Sequence, residues 1–214
     1  MDIYFLRHGE TMWNREKRIQ GITPHIDLTD FGVQLAEMTR DGMIARGLTF
    51  DRIYTSPLKR ALHTAEIICS GLGIAPIQDE RLRERSFGIY EGCKLGAGNY
   101  IDDNLRKCFE DPVNYVAVEG EESFLEVEER FAGFLNDELM PLEGKCESVL
   151  LVTHGAFMRS AMRYLLKFPL ADYWKGRQPN CCVHHAKLEN GKCSVVEQSA
   201  VFYDKKLADA VSSG

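Results

Sequence analysis

Three short apolar runs, each followed at once by a helical pattern, confine this chain to a narrow set of folds. Ile3–Leu6, Arg52–Thr55 and Ser148–Thr153 read as buried strands, and Val149-Leu150-Leu151-Val152 is the strongest signal among them. After the first comes a loop and a helix from about Thr29 to Ala45, capped by Thr29 or Asp30, with apolar positions at Phe31, Leu35, Met38, Met43 and Ile44. The second leads through Ser56-Pro57 into a helix over Leu58–Leu72, ended by Gly71 and Gly73, and the third runs into Ala156–Leu166. Strands alternating with helices predict a three-layer α/β/α fold with a mostly parallel central sheet. Ligands of such sheets sit at the carboxyl ends of the strands, and His8, Ser56 and His154 all fall just past one.

The rest of the chain fits around that frame as one domain over residues 1–214. Between Cys93 and Glu122 the sequence turns Gly-rich, then polar and acidic, with a short helix near Asp102–Phe109 stopped by Pro112. This stretch, 93–122, is expected to be an insertion or lid over the site. An amphipathic helix is expected from Ser123 to about Leu139, with Phe124, Val127, Phe131, Phe134 and Leu135 on its apolar face. Val183–Leu188 and Ser194–Ala200, joined through Asn190-Gly191, predict an antiparallel hairpin at the sheet edge. The tail, about 205–214, is expected to fray.

Composition narrows the function. A net charge of −6 argues against nucleic acid as a partner, because such binding rests on neutralising phosphates with Lys and Arg. No run approaches the roughly 20 apolar residues of a membrane span, so no membrane association and a cytoplasmic location are expected. The seven cysteines lack the spacing of a disulfide framework and are expected to be reduced. Cys181-Cys182 with His184-His185 and Cys193 invites a metal reading, but adjacent residues on a strand point to opposite faces, which disfavours one shared ion.

The chemistry-bearing residues fall in four segments. They are Leu6-Arg7-His8-Gly9-Glu10-Thr11 with Asn14, Arg18, Gln20 and Gly21; Ser56-Pro57-Leu58-Lys59-Arg60-Ala61 with Thr64; Leu82-Arg83-Glu84-Arg85-Ser86-Phe87-Gly88-Ile89-Tyr90-Glu91-Gly92; and Thr153-His154-Gly155 with Arg159. Arg offers a planar fork matched to phosphate oxygens, and a neutral imidazole is a nucleophile at pH 7. Each segment alone has a plainer reading: a surface turn, an exposed helix charge, a solvated loop, or a satisfied structural histidine.

In this order and spacing the four segments resemble the histidine phosphatase superfamily, in the branch that contains cofactor-dependent phosphoglycerate mutases and many small-molecule phosphatases. The resemblance implies that His8 attacks phosphorus and becomes a phosphohistidine, dividing one displacement into two. It implies that Arg7, Arg60, His154 and the amide of Gly155 hold the phosphoryl oxygens, with Asn14 adding a neutral donor and Gln20 and Gly21 at the substrate rim. Glu84 matches the family's proton donor, a role that calls for partial burial. No metal and no cofactor are implied, and the expected ligand is a small phosphomonoester. A monomer or homodimer is expected.

Two departures from the family pattern bear on substrate. His25-Ile26-Asp27-Leu28-Thr29 stands where many members have Asp-x-Pro-Leu-Thr, and Gly120-Glu121-Glu122-Ser123 replaces Gly-Gly-Glu-Ser. The lid stretch carries Asp102, Asp103, Glu110, Asp111, Glu119, Glu121 and Glu122, which argues against the strongly basic closed pocket a mutase needs. The expected activity is therefore phosphomonoester hydrolysis. Phosphoglycerate mutase activity is the alternative, and a non-catalytic phosphate-binding or protein-interaction module is a second.

Overall fold

A computed structural model describes residues 1–96, 100–204 and 206. In chain order these form β1 (Asp2–Arg7), α1 (Met12–Arg15), α2 (Asp30–Ala45), β2 (Arg52–Thr55), α3 (Lys59–Ser70), β3 (Ile77–Gln78), α4 (Asp103–Glu110), α5 (Phe124–Phe134), β4 (Ser148–Thr153), α6 (Gly155–Leu166), β5 (Val183–Glu189) and β6 (Lys192–Ala200). The six strands make one sheet in the order β3-β2-β4-β1-β5-β6. The first four are parallel, while β5 runs antiparallel to β1 and β6 to β5. The sheet is thus mixed, parallel at its centre with the expected hairpin at one edge.

Alternation along the central strands separates two cores. Ile3 and Phe5 of β1, Tyr54 of β2, and Val149 and Leu151 of β4 face one layer, where Val127, Phe131 and Phe134 of α5 and Phe157, Met158 and Ala161 of α6 cover them. Leu6, Ile53, Leu150 and Val152 face the other, against Leu35, Ala36 and Met43 of α2 and Ala61, Ala65 and Ile68 of α3. All four residues Val149–Val152 are fully buried, each contributing roughly 1.5–3 kcal/mol by leaving water. This two-sided burial is what the unbroken apolar run in the sequence encodes.

The helix boundaries follow local chemistry. Thr29 is the N-cap of α2, its Oγ1 accepting from the Gly32 amide at 3.0 Å. Ser123 and Glu126 form a capping box at the start of α5. The expected helix to Leu139 divides here, because after Phe134 the chain widens into one π turn over Leu135–Leu139. Pro57 stays outside α3, since Leu58 is extended and is the N-cap. Asn190 and Gly191, both at positive φ, close the hairpin.

A third cluster lies beside the carboxyl ends of the strands, where Ile19, Phe87, Tyr90, Leu105, Cys108, Tyr115, Phe124 and Tyr173 pack together. Arg85 is fully buried at its centre, with Nε donating to the Glu122 carbonyl at 2.6 Å and its guanidinium 4.5 Å from the rings of Phe87 and Phe124. The acidic residues of this region build it rather than face a ligand. Asp102 caps α4 through the Leu105 amide, Asp103 pairs with Arg106 and Lys107, and Glu122 pairs with Arg130. Of the expected fraying tail, residues 205 and 207–214 lie outside the described residues. No helix among the described residues is long and apolar enough to cross a membrane.

Candidate active site

The carboxyl ends of β1, β2 and β4 are in register. The His8 amide donates to the Thr153 carbonyl and the Ser56 amide to the Val152 carbonyl, each at 3.0 Å. Three residues far apart in sequence therefore sit side by side at the carboxyl end of the sheet's inner strands. A cleft of about 210 Å³ opens there, lined by Arg7, His8, Asn14, Gln20, Gly21, Arg60, Glu84 and Gly155 among others. His154 is absent from the lining. It lies behind His8, with ring centroids 5.2 Å apart.

His8 is 2% exposed, and its Nδ1 lies 2.7 Å from the Gly9 carbonyl. That contact requires the proton on Nδ1 and leaves the Nε2 lone pair free. Burial, then the positive charges of Arg60 and Arg7, hold the His8 pKa well below its usual value, so the ring is neutral at pH 7. His154 is lowered in the same way, by burial first and then by Arg60.

The loop carrying His8 is fixed by close packing. A Cβ on Gly9 would meet the Gly32 carbonyl oxygen at 2.7 Å, and one on Gly32 would meet the Glu10 oxygen at 2.1 Å. The Gly9 amide donates to Thr64 Oγ1 at 3.0 Å, and Asn180 Nδ2 donates to the carbonyls of His8 and Gly9 at 3.0 and 3.1 Å. Asn180 also contacts Asn14 Oδ1, which accepts from Thr11 as well, so the Asn14 carbonyl side is engaged within the protein. Asn180 lies beyond the recognisable motifs, in a loop with no patterning, and sequence reasoning missed it.

Arg60 is fully buried, an unusual position for a cation. Its Nη2 donates to the Gly21 carbonyl at 2.7 Å and its Nη1 to the Thr23 carbonyl at 3.1 Å. Burial brings its pKa down to about 10, opposed by the charges of Glu84 and Glu91, so it remains a cation at pH 7. Asp27, whose role the sequence left open, reaches the flanking positions of α3. It meets His63 Nδ1 at 2.7 Å and Lys59 Nζ at 3.0 Å. Arg7 donates through Nη1 to the Gln178 carbonyl, and its guanidinium passes over Gly155, where a Cβ would stand 3.5 Å from Nε.

Three N-bearing positions around His8 have no partner among the described residues. Arg7 Nε, Arg60 Nε and His154 Nδ1 are all buried. Buried polar groups are nearly always hydrogen-bonded, so two cations and a ring nitrogen left this way beside a neutral imidazole make a site shaped for an anion.

Glu84 is 9% exposed and held from several sides. Its Oε1 accepts from the amides of Arg85 and Phe157 at 2.9 Å, and Oε2 accepts from the Ala156 amide at 3.1 Å. The carboxylate therefore rests on the N-terminus of α6 while lining the cleft. Arg130 braces the segment behind it by donating to the carbonyls of Arg81 and Arg83 at 2.6 and 2.9 Å. The acidic lid residues singled out in the sequence do not line the cleft; four arginines and Glu84 supply its charge. The premise that lid acids oppose a basic pocket is thereby corrected.

The Cys181–His185 stretch disperses. Cys181 packs into the core under α2 and α3, and Cys182 into the core under α5 and α6. Burial pushes their thiols up to about 12 and about 11. His184 accepts from the Ser199 amide at 2.9 Å and contacts the Gln178 side chain, while His185 pairs with Asp2 at 2.7 Å.

A buried histidine held neutral beside guanidinium groups, at the carboxyl ends of parallel strands, makes a site shaped for an anionic group. The chain belongs to the histidine phosphatase superfamily (branch 1), which it matches over residues 3–200. It is 35% identical over 183 residues to a probable phosphoglycerate mutase GpmB of Cronobacter sakazakii, covering 86% of this chain and 83% of that one. Among solved structures it is similar to Bacillus stearothermophilus YhfR, with a TM-score of 0.84 at 32% identity over 95% of this chain and 99% of that one. It is also similar to a phosphoserine phosphatase mutant of Entamoeba histolytica in complex with phosphoserine. There the TM-score is 0.79 at 28% identity, over 93% and 96% of the two chains.

Proposed function

We propose that this enzyme is a phosphomonoesterase that hydrolyses a small phosphorylated metabolite through a phosphohistidine on His8. The observation that carries the reading is the set of buried, unpartnered nitrogens on Arg7, Arg60 and His154 around the neutral His8 ring. In the first step the Nε2 lone pair attacks phosphorus, the bond to the ester oxygen breaks, and protonated Glu84 gives its proton to the departing alcohol. In the second, Glu84 as carboxylate takes a proton from water, the water oxygen attacks phosphorus, and the N–P bond breaks to return neutral His8 and inorganic phosphate. Arg7 and Arg60 stabilise charge on the equatorial oxygens, which is most of what phosphoryl transfer asks of a protein. Asn14, Gly155, Gln20 and Gly21 line the same cleft and serve as neutral contacts to the phosphate and the substrate rim.

Transfer of the phosphoryl group to a second hydroxyl, as in a phosphoglycerate mutase, is the competing reading, favoured by the name of the Cronobacter relative. One experiment separates the two. Rapid quenching with a ³²P-labelled ester is expected to trap acid-labile label on the wild type and none on His8→Ala. Across a phosphomonoester panel, release of inorganic phosphate is expected to exceed turnover of 3-phosphoglycerate primed with its bisphosphate. The opposite ratio overturns hydrolysis as the main activity, and undiminished hydrolysis by His8→Ala overturns the mechanism.

A further inference from the structure

Among the residues that line the cleft, Arg7 and Arg60 carry a buried nitrogen with no partner among the described residues. The other two cations of the lining are hydrogen-bonded within the protein. Arg159 directs Nη1 to the carbonyls of Tyr173 and Lys175 at 3.1 and 2.8 Å and Nη2 to that of Gly176 at 2.8 Å. Arg18 pairs its Nε with Glu16 and gives Nη1 to the Gly92 carbonyl at 2.8 Å. Each guanidinium thus has two of its three nitrogens on protein acceptors, and that of Arg159 also lies 5.5 Å from the centre of the Trp174 ring.

Part of the cleft lining is aromatic. Phe87 and Phe109 lie within 4° of parallel at a centroid distance of 6.1 Å, and Phe109 lies 4.7 Å from Trp174. All three line the cleft together with Leu95. The one polar atom of Trp174, Nε1, donates to the Cys108 carbonyl at 2.6 Å, so the indole offers the cleft only carbon. Gln20, buried and also lining the cleft, has an amide oxygen with no partner among the described residues, a neutral hydrogen-bonding group.

We propose that the substrate's leaving alcohol is uncharged and carries a flat ring, in contrast to a hydroxy acid. The inference rests on the phosphomonoesterase reading above. A ring stacks on Phe109 and Trp174 in the offset geometry aromatic faces prefer, and a hydroxyl or ring N–H on it meets Gln20. A carboxylate laid against this aromatic carbon would lose its water, a cost that a neutral ring does not bear.

The test compares kcat/KM for four esters of primary alcohols, so that leaving-group chemistry is matched: 2-phenylethyl phosphate, propyl phosphate, 3-phosphoglycerate and O-phosphoserine. The phenylethyl ester is expected to exceed both carboxylate esters by about tenfold or more, a discrimination within reach of one apolar pocket. Trp174→Ala and the milder Phe109→Leu are expected to shrink the phenylethyl-to-propyl ratio by about tenfold, through KM. Equal or better turnover of the carboxylate esters, with label still trapped on His8, overturns this inference and leaves the phosphatase reading standing. So does an unchanged ratio in folded Trp174→Ala. A chain that hydrolyses none of the four esters and traps no label removes both. The wild-type series decides the carboxylate question even where a variant fails to fold.

Discussion

Ser56 Oγ lies 2.8 Å from Nε2 of His154, joining the end of β2 to the end of β4 beneath the proposed nucleophile. The same oxygen accepts from the Leu58 amide at 3.3 Å. Both side chains are fully buried. Ser56→Ala removes the partner and leaves a buried ring nitrogen unsatisfied, which costs about 1–3 kcal/mol. The expected outcome is a lower urea midpoint and a drop of about tenfold in the single-turnover rate of His8 phosphorylation. A variant as stable and as fast as wild type excludes this role for Ser56.

Glu91 positions Arg60 without touching it. Its Oε1 accepts from the amides of Ile22 and Phe87 at 2.9 and 3.2 Å, and its Oε2 accepts from Thr23 Oγ1 at 2.6 Å. It thereby holds the loop whose carbonyls hold the Arg60 guanidinium, and Gly21 makes room for it, since a Cβ there would fall 2.0 Å from Glu91 Oε1. Glu91→Ala is expected to raise the KM for phosphomonoesters and weaken vanadate inhibition by about tenfold or more, through misplacement of the Arg60 guanidinium and its unpartnered Nε. Glu91→Gln keeps one acceptor for the amides and donates to Thr23, so it is expected to stay within about threefold of wild type. If Glu91→Ala keeps the wild-type KM and vanadate inhibition, the clamp is unimportant.

The central frame was legible because burial on two faces writes itself as an unbroken apolar run, as at Val149–Val152. Likewise the helix starts were legible where a cap carries them, as at Thr29 and Ser123. The strand β3 was not, because two exposed residues, Ile77 and Gln78, pair through backbone alone and leave no side-chain pattern. Arg7, His8, Arg60 and Glu84 could be grouped from the sequence through the family resemblance, and the fold brings them to line one cleft. Asn180, Arg130 and the Gln178 carbonyl were not legible, because their parts depend on where loops cross in space. The acidic lid misled for a related reason: charge can be counted along a sequence, but its direction cannot.

Gly32 is required by contact, not by its own dihedral angles. The start of α2 presses against the His8 loop so closely that a Cβ at Gly32 would sit 2.1 Å from the Glu10 oxygen and 2.9 Å from its nitrogen, both backbone atoms that cannot swing away. Gly32→Ala is expected to cost about 2–4 kcal/mol and to lower activity by shifting the loop. Gly133, in α5, has nothing within 4 Å of its would-be Cβ. Gly133→Ala is expected to stabilise the protein by up to about 1 kcal/mol through helix propensity. Paired urea titrations check both, and an inverted order of the two would show the packing argument to be wrong.

Stability should decline on mild acidification because of the buried histidines. Burial, followed by the charge of Arg159, lowers the pKa of His184 to about 4 against an ordinary value of 6.5. Its Nδ1 accepts from the Ser199 amide, a bond that a proton on that nitrogen would break. Between those two values the unfolded chain binds a proton that the folded one excludes. The contribution is whole above about pH 6.5, falls as pH drops, and is lost below about pH 4; for this one group it is on the order of 3 kcal/mol. His8 and His154, lowered in the same direction, add to the loss as pH falls below their ordinary value. Urea unfolding at pH 7.5, 6.0 and 5.0 is expected to show a falling free energy, and His184→Gln, which keeps an acceptor for Ser199, is expected to flatten the slope by about one proton's worth. A free energy unchanged from pH 7.5 to 5.0 would mean that these rings are not held neutral by the fold.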